Sequence, residues 1–283
     1  MSPVAIATSS SVQDPDATTL LDALARHGLE AEMVPWDAPV AWDAYDLVVI
    51  RSTWDYVGRR EAFLAWARSI RNLANPYRAI EYSSDKHYLA DLAARGHRVV
   101  ETHFCDVGTE PRFFDGDVVV KPAVGAGSGG AARYRADERD AATRHVVSLH
   151  RDGFDALIQP YVSSVDARGE RAVVVIDGEA THAMTKSAML NVAESVRTPQ
   201  FRRNQMSRAD LEPEVRDYVT GLLADDRFAD LLYARVDLVE TDAGWALMEL
   251  ELVEPNLFLT YDAAATERLA TAIARRRGAG PAV

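Results

Sequence analysis

The first 80 residues alternate short apolar runs with amphipathic stretches, and this rhythm limits the fold more than any single motif does. The predicted strands are VAIATS, AEMVPW and YDLVVIRST, and the predicted helices cover residues 16–27 and 61–73. Strands that alternate with helices are typical of a parallel sheet with helices on its faces. We therefore expect an α/β domain at the start of the chain.

From residue 98 the rhythm changes to strands that are joined by turns. Short strands are predicted for RVVETHF, DVVVKP, AARYR and ALIQPYV, two hairpins for 171–186 and 231–256, and a last helix for 262–277. Asp177-Gly178 in the first hairpin is a strong signal for a tight turn, because its flanks are rich in β-branched residues. We expect this part of the chain to form antiparallel α+β units.

The stretch NPYRAIEYSSDKHYLADLAARG, residues 75–96, predicts a linker followed by a helix. Ser84 is a suitable N-cap and Gly96 a suitable C-terminal stop, which places Lys86 in the first helical turn. The helix dipole disfavours a cation at that end. The placement indicates that Lys86 has a role other than stabilising this helix.

Composition and charge exclude several classes of partner. The chain has 283 residues, 31 Lys+Arg and 43 Asp+Glu, so its net charge of −12 disfavours nucleic acid. No segment approaches the roughly 18 uninterrupted apolar residues of a membrane span. The start MSPVAIATSSSVQD does not resemble a signal peptide, and the single cysteine, Cys105, excludes an internal disulfide. We expect a cytoplasmic protein that binds small molecules, with neither nucleic acid nor a membrane as partner.

The second hairpin carries a group of acidic residues. Side chains at i and i+2 of a strand share a face, so Arg235 points with Asp237, and Glu249 with Glu251. A turn near Ala243 places Asp237 opposite Glu249 and Arg235 opposite Glu251. Opposed carboxylates repel each other, and a divalent cation removes the conflict. Oxygen ligands without histidine or cysteine favour Mg²⁺ or Mn²⁺.

A solvated acidic hairpin face is the alternative to this metal site. Met248, Leu250 and Leu252 alternate with the two glutamates, so we expect these apolar side chains on the core-facing side of the strand. One face of the hairpin is therefore predicted to be buried.

The stretch GDVVVKPAVGAGSGGAARY, residues 116–134, joins an apolar strand to a glycine run. Gly125, Gly127 and Gly130 satisfy the dinucleotide pattern G-x-G-x-x-G, but no acidic residue ends a following strand about 20 positions on. A Walker loop has its lysine after the glycines, whereas Lys121 precedes them. A nucleophile elbow around Ser128 leads into a helix, and here a strand follows. We expect a flap between two strands that closes over phosphates, with a glycine-rich surface hairpin as the alternative.

The order of these motifs resembles the ATP-grasp superfamily. A linker lysine, a lysine before a glycine flap, IQPYV, an arginine strand, RVD and ELE follow one another over about residues 80–260. The resemblance implies an α/β protein of the ATP-grasp type. An N-terminal Rossmann-like domain (1–82) would precede two α+β subdomains that sandwich ATP, a lid subdomain with the flap (83–163) and a C-terminal subdomain with the metal site (164–283).

The resemblance also implies roles for individual residues. ATP would be bound by Lys86, Lys121, Gly125, Gly127, Ser128, Gly129, Gln159, Tyr161, Val162 and Asp166. Metal would be bound by Asp237, Glu249 and Glu251. The catalytic residues would be Arg235, Lys186 and Arg171, the last two near the γ-phosphate or the substrate carboxylate. Substrate contacts would come from Arg51, Ser52, Thr53, Asp55, Glu170 and Asn256.

Two features depart from the superfamily pattern. Its usual ending is Glu-x-Asn, whereas this chain has Glu249-Leu250-Glu251, so the third ligand would be a carboxylate. Residues 187–205 match no lid pattern, and we expect this segment to select the substrate.

Among compact members, the chain is most similar to the D-cycloserine synthetases of antibiotic biosynthesis. This resemblance implies an ATP-dependent carboxylate–amine ligase that acts through an acyl phosphate, with two Mg²⁺ ions, or Mn²⁺, as cofactors and a homodimer as a common assembly. The expected reaction is the intramolecular cyclisation of O-ureido-D-serine. An intermolecular amino-acid ligase and a non-catalytic ATP sensor are the alternatives.

Overall fold

A parallel sheet near the N-terminus confirms the predicted α/β start of the chain. The computed structural model describes residues 3–11, 13–127, 129–188 and 206–279. Strands β1 (Val4–Thr8), β2 (Ala31–Pro35) and β3 (Leu47–Ser52) pair in the order β2-β1-β3, with helices α1 (Ala17–Arg26) and α2 (Arg60–Ser69) next to them along the chain. Strand β1 is buried on both faces, which is why it reads as an unbroken apolar run.

The linker between the first two sheets forms two short helices instead of the single predicted one. These are α3 (Tyr77–Ser83) and α4 (Tyr88–Ala94). Ser84 therefore ends α3 and does not cap a helix that contains Lys86, so that prediction is wrong. The backbone N–H of Lys86 donates to the carbonyl of Ala123 at 2.9 Å, and this bond fixes a turn where the sequence predicts the first helical turn.

The second sheet confirms that the glycine run joins two strands. Strands β4 (His103–Cys105), β5 (Val118–Pro122), β6 (Ala132–Tyr134) and β7 (Ala156–Pro160) pair in the antiparallel order β4-β7-β5-β6, with helix α5 (Arg139–Arg151) between β6 and β7. The glycine run lies between the paired strands β5 and β6. It does not lead into a helix, as a dinucleotide or Walker loop would.

The third sheet contains both predicted hairpins. Its strands are β8 (Glu170–Ile176), β9 (Glu179–Lys186), β10 (Met206–Ala209), β11 (Tyr233–Thr241) and β12 (Gly244–Glu251), in the order β10-β9-β8-β11-β12. The remaining described α-helices are α6 (Ser164–Arg168), α7 (Pro213–Leu223) and α8 (Ala263–Ala279). Asp177 and Gly178 have φ angles of 54° and 79°, as a tight two-residue turn requires.

The second hairpin has the predicted register, although its turn is one residue shorter than predicted. Asp237 lies opposite Glu249, and Arg235 lies opposite Glu251. The shorter turn alone would displace this pairing by one residue. A bulge compensates for it, because Met248 has no partner on β11.

The last helix packs against the N-terminal part of the chain. Helix α8 packs on α1, and Leu269 and Ile273 share a core cluster with Ile6 and Leu24. The three sheets lie within residues 4–52, 103–160 and 170–251, while the exact domain boundaries stay a prediction. Among the described helices, none is long and apolar enough to cross a membrane.

Candidate active site

A cavity of about 570 Å³ lies where strands of the second and third sheets meet the loops that follow β1 and β3. Twelve of the candidate site residues line it: Asp55, Lys121, Gly127, Gln159, Tyr161, Val162, Glu170, Lys186, Arg235, Glu249, Glu251 and Asn256. These residues come from three separate parts of the chain. The cavity is therefore the candidate active site.

Three carboxylates meet at the cavity, where Glu249 and Glu251 line the wall and Asp237 is only 1% exposed. Asp237, Glu249 and Glu251 each offer an oxygen atom, and these atoms all lie within 4.8 Å of one another. Burial raises the pKa of Glu251 to about 7, although Arg235 opposes the rise. This shift reflects the repulsion and desolvation that a bound cation would relieve. An all-oxygen donor set of this spacing fits Mg²⁺.

The bulge at Met248 changes which side chains face the cavity. Leu250 and Leu252 are buried in the core, as predicted. Met248 instead lines the cavity together with Glu249, so the prediction for Met248 is wrong. An extra residue in one strand breaks the alternation of faces, and the sequence carries no local signal for it.

Two positively charged side chains, Lys186 and Arg235, form ion pairs with Asp237 in the acidic cluster. Lys186 Nζ lies 2.7 Å from Asp237 Oδ2 and 2.8 Å from Glu170 Oε2. Arg235 donates from Nε and Nη2 to Asp237 at 2.9 Å and also contacts Glu251. Burial lowers the pKa of Lys186, but Asp237 and Glu170 outweigh burial and the net shift is upward. Lys186 and Arg235 are therefore held charged inside the cavity.

The two predicted phosphate lysines lie in different environments. Lys86 Nζ is 3.1 Å from Glu249 Oε1 and donates to the carbonyl of Gly125 at 2.9 Å. Lys121 Nζ, by contrast, has no hydrogen bond or ion pair with any residue that the structure describes. Burial lowers the pKa of Lys121, which Glu249 partly opposes. Lys121 thus presents an unpaired cation to the cavity, as an anion-binding site requires.

The glycine run approaches the cavity at Ala126 and Gly127. Gly127 lines the cavity, whereas Gly125 contacts Lys86 through its carbonyl and Gly129 donates to Ala126. Ser128 lies outside the described residues, as do residues 189–205 of the segment that we expect to select the substrate.

The IQPYV segment forms one end of the cavity. The side chain of Gln159 donates to Thr102 Oγ1 at 2.9 Å, and Tyr161 N donates to Asp117 O at 2.9 Å. Asp166, predicted to contact ribose, is not on the cavity wall. It accepts a hydrogen bond from the Tyr161 hydroxyl and lies 3.5 Å from Arg133 Nη1.

Arg171 does not reach the cavity. Its guanidinium donates to Glu212 at 2.8 Å and to Thr185 at 3.0 Å, on the face of the sheet opposite to Glu170. Neighbouring residues of a strand point to opposite faces, so Glu170 and Arg171 cannot both face the nucleotide. The position that the resemblance implies for Arg171, near the γ-phosphate or the substrate carboxylate, is therefore not where the structure places it.

Arg51, Ser52 and Thr53 lie behind the cavity wall and not on it. Arg51 is only 2% exposed; it donates to the carbonyl of Pro255 at 2.9 Å and lies 3.5 Å from Asp16. Ser52 hydrogen-bonds to Thr8 at 2.6 Å. These residues stabilise the loops that form the wall, and their positions do not favour direct contact with the substrate.

Asp55 lines the cavity as expected, together with residues that sequence reasoning missed: Gln13, Pro15, Trp54 and Phe258. A signal was available for the first three, because they follow β1 and β3 closely and ligands bind beyond the carboxyl ends of parallel strands. Phe258 could be found only from the tertiary structure.

Comparisons with known proteins identify the family of this chain. The cycloserine biosynthesis protein DcsG of Streptomyces lavendulae is 34% identical over 282 residues, which cover 93% of this chain and 94% of that protein. The chain belongs to the D-cycloserine synthetase family. A family model described as the N-terminal domain of D-cycloserine synthetase DcsG matches residues 4–75.

Solved structures extend the comparison. The crystal structure of D-cycloserine synthetase DcsG matches with a TM-score of 0.88 and 32% identity over 97% of this chain and 99% of that one. The D-alanine–D-alanine ligase of Bacillus anthracis complexed with ATP matches with a TM-score of 0.65 and 14% identity over 99% and 98% of the two chains, which shows the shared fold alone. This member of the D-cycloserine synthetase family is thus an ATP-grasp ligase, an enzyme class that binds ATP and typically Mg²⁺.

Proposed function

We propose that this enzyme closes the ring of D-cycloserine from O-ureido-D-serine. The substrate carboxylate takes the γ-phosphoryl group of ATP, which gives an acyl phosphate and ADP. The ureido nitrogen bonded to oxygen then attacks the acyl carbon and expels phosphate, and water releases the carbamoyl group as carbon dioxide and ammonia. The family relationship and the site geometry both support this reaction.

The observation that carries the proposal is the acidic cluster between buried cations. Asp237, Glu249 and Glu251 would hold two Mg²⁺ ions, or Mn²⁺ in their place, and bound metal would neutralise charge on the phosphates. The ion pairs of Lys86 and Lys186 with these carboxylates mark the positions where negative charge is favourable. A site of this kind serves phosphoryl transfer, in which positioning and charge stabilisation supply most of the catalysis.

Individual residues would divide these tasks. Lys121 and Lys86 bind the α- and β-phosphates, and the backbone around Gly127 closes over them. The segment 159–162 meets adenine through backbone groups. Asp166 is not part of this nucleotide site, because it is bonded to Tyr161 outside the cavity wall.

Catalysis would rest on two further cations. Arg235 stabilises the transferred phosphoryl group, since its guanidinium is buried and aligned by Asp237. Lys186 neutralises charge on the same phosphoryl group or on the carboxylate. Both side chains are fixed before substrate arrives, which reduces the reorganisation that the reaction requires.

The decisive experiment measures ADP release that depends on O-ureido-D-serine. Glu249→Gln should abolish this release, because it removes a charged metal ligand while preserving side-chain size. Glu240→Gln is the matched control on the same hairpin, since Glu240 lies outside the cavity, and it should keep wild-type turnover. Undiminished ADP release by Glu249→Gln would refute the metal assignment.

Product mass separates the proposed cyclisation from its near alternative. Mass spectrometry should find D-cycloserine without any second amine in the reaction. A product that contains an added amine would instead identify an intermolecular ligase. The homodimer that the family resemblance implies stays a prediction, which light scattering on the purified enzyme tests.

A further inference from the structure

Asn256 has a buried amide group that the protein leaves partly unbonded. The residue is 5% exposed and lines the cavity. Its Oδ1 accepts a hydrogen bond from the backbone N–H of Phe258 at 2.8 Å, and only an oxygen can do so. Its Nδ2 has no hydrogen-bond partner among the described residues. A buried donor without a partner is unfavourable and calls for an acceptor that arrives from outside.

The orientation of this amide is fixed by the chain around it. Phe258 has a left-handed backbone with φ of 51°, so the Asn256 side chain closes a tight local turn. The carbonyl of Asn256 accepts from Arg235 Nη1 at 3.3 Å. The carbonyl of the preceding Pro255 accepts from the buried Arg51 at 2.9 Å. Rotating the amide away from the cavity would break the bond to Phe258.

The position of Asn256 relative to Arg235 identifies the acceptor. Arg235 contacts Asn256 with one nitrogen and the acidic cluster with the others. In the proposed reaction the phosphoryl group is transferred beside this cluster. A substrate group that lies next to both Asn256 and the cluster would therefore be the carboxylate that receives it. A carboxylate oxygen is also the stronger partner for an amide donor, because the bond is charge-assisted.

We infer that Asn256 Nδ2 donates a hydrogen bond to an oxygen of the substrate carboxylate that the enzyme activates, which makes Asn256 a specificity-determining residue. This inference rests on the proposed function and adds a contact on the substrate side of Arg235. Trp54 and Phe258, which line the same cavity, supply apolar surface that limits water around this bond.

The test compares variants that separate the donor from the turn. Asn256→Asp keeps an oxygen for Phe258 N but replaces the donor with an acceptor. We expect kcat/KM for O-ureido-D-serine to fall by roughly 10- to 100-fold, the usual effect of losing a hydrogen bond to a charged group. The KM for Mg·ATP should stay unchanged. Asn256→Ser, which also keeps an oxygen near Phe258 N, replaces the Asp variant if that variant does not fold.

A purely structural role gives a different result. In that case Asn256→Ala lowers the thermal midpoint, while Asn256→Asp retains wild-type kcat/KM, and the inference is overturned. A parallel rise in the KM for Mg·ATP also overturns it, because the residue would then serve the nucleotide or metal. Failure of the proposed function appears separately, as wild-type enzyme that releases no ADP with O-ureido-D-serine. The variants are then compared on whichever carboxylate supports ADP release.

Discussion

Gly169 sits at a position that only glycine can occupy, and replacing it should disturb the active site from behind. It follows α6 and precedes β8, with φ of 69° and ψ of −174°. A Cβ atom there would lie 2.5 Å from the backbone oxygen of Lys186 and 2.7 Å from Thr185 Cγ2. Lys186 in turn holds Asp237 and Glu170. Gly169→Ala therefore pushes on the end of β9 that carries a proposed catalytic lysine.

The magnitude follows from two contributions. A non-glycine residue in this backbone region costs about 1–3 kcal/mol. The new Cβ is also about 1 Å inside normal contact distance of the Lys186 carbonyl, and such overpacking costs about 1–3 kcal/mol. Together they give about 4 kcal/mol, which lowers the thermal midpoint by roughly 10 °C in a chain of this size.

Gly178→Ala is the matched control. Gly178 also has a positive φ of 79°, but nothing lies within 4 Å of the point that a Cβ atom would occupy there. Only the backbone cost of about 1 kcal/mol remains, or roughly 3 °C. Thermal unfolding followed by circular dichroism, together with ADP release, measures both variants. Equal midpoints in the two variants, or full activity in Gly169→Ala, would refute the reasoning.

Two further predictions concern charge. Lys121→Met should raise the KM for ATP by about tenfold or more, because it removes a cation from the phosphates. The thermal midpoint without nucleotide should not fall, since Lys121 is half-buried without a partner among the described residues, and a clear fall would contradict this. Burial would raise the pKa of Asp91, but hydrogen bonds from Tyr82 and Arg227 lower it to about 2. Arg227 also donates to Asp225 and lowers the pKa of that carboxyl. The stability that Arg227→Met loses should therefore be greatest above about pH 4, and the difference from wild type in urea unfolding should shrink in part toward pH 2 as Asp91 becomes protonated, while the Asp225 contribution persists to lower pH. A difference that is constant with pH would exclude this ion pair as its cause.

The acidic cluster was predictable because its geometry is local. Alternation along a strand and pairing across a short turn place Asp237, Glu249 and Glu251 together without any knowledge of the rest of the fold. The interpretation of the Lys121 loop as a flap between two strands also depended on nearby residues. Its lysine precedes the glycine run, which excluded the Walker loop, and the run leads into a strand, which excluded the dinucleotide turn. The bulge at Met248 left the register intact only because it offset the shorter turn.

Most of the elements, the hairpin pairing and the chemical class could be read from the sequence, since each depends on residues that are close along the chain. The tertiary structure alone decided which side chains reach the cavity. Arg51 is a buried support and Arg171 faces away, while Asn256 lines the cavity and its Nδ2 has no hydrogen-bond partner among the described residues. These outcomes depend on how segments about 200 residues apart pack against one another. No local pattern encodes that packing, because burial and direction are set by neighbours that only folding brings together.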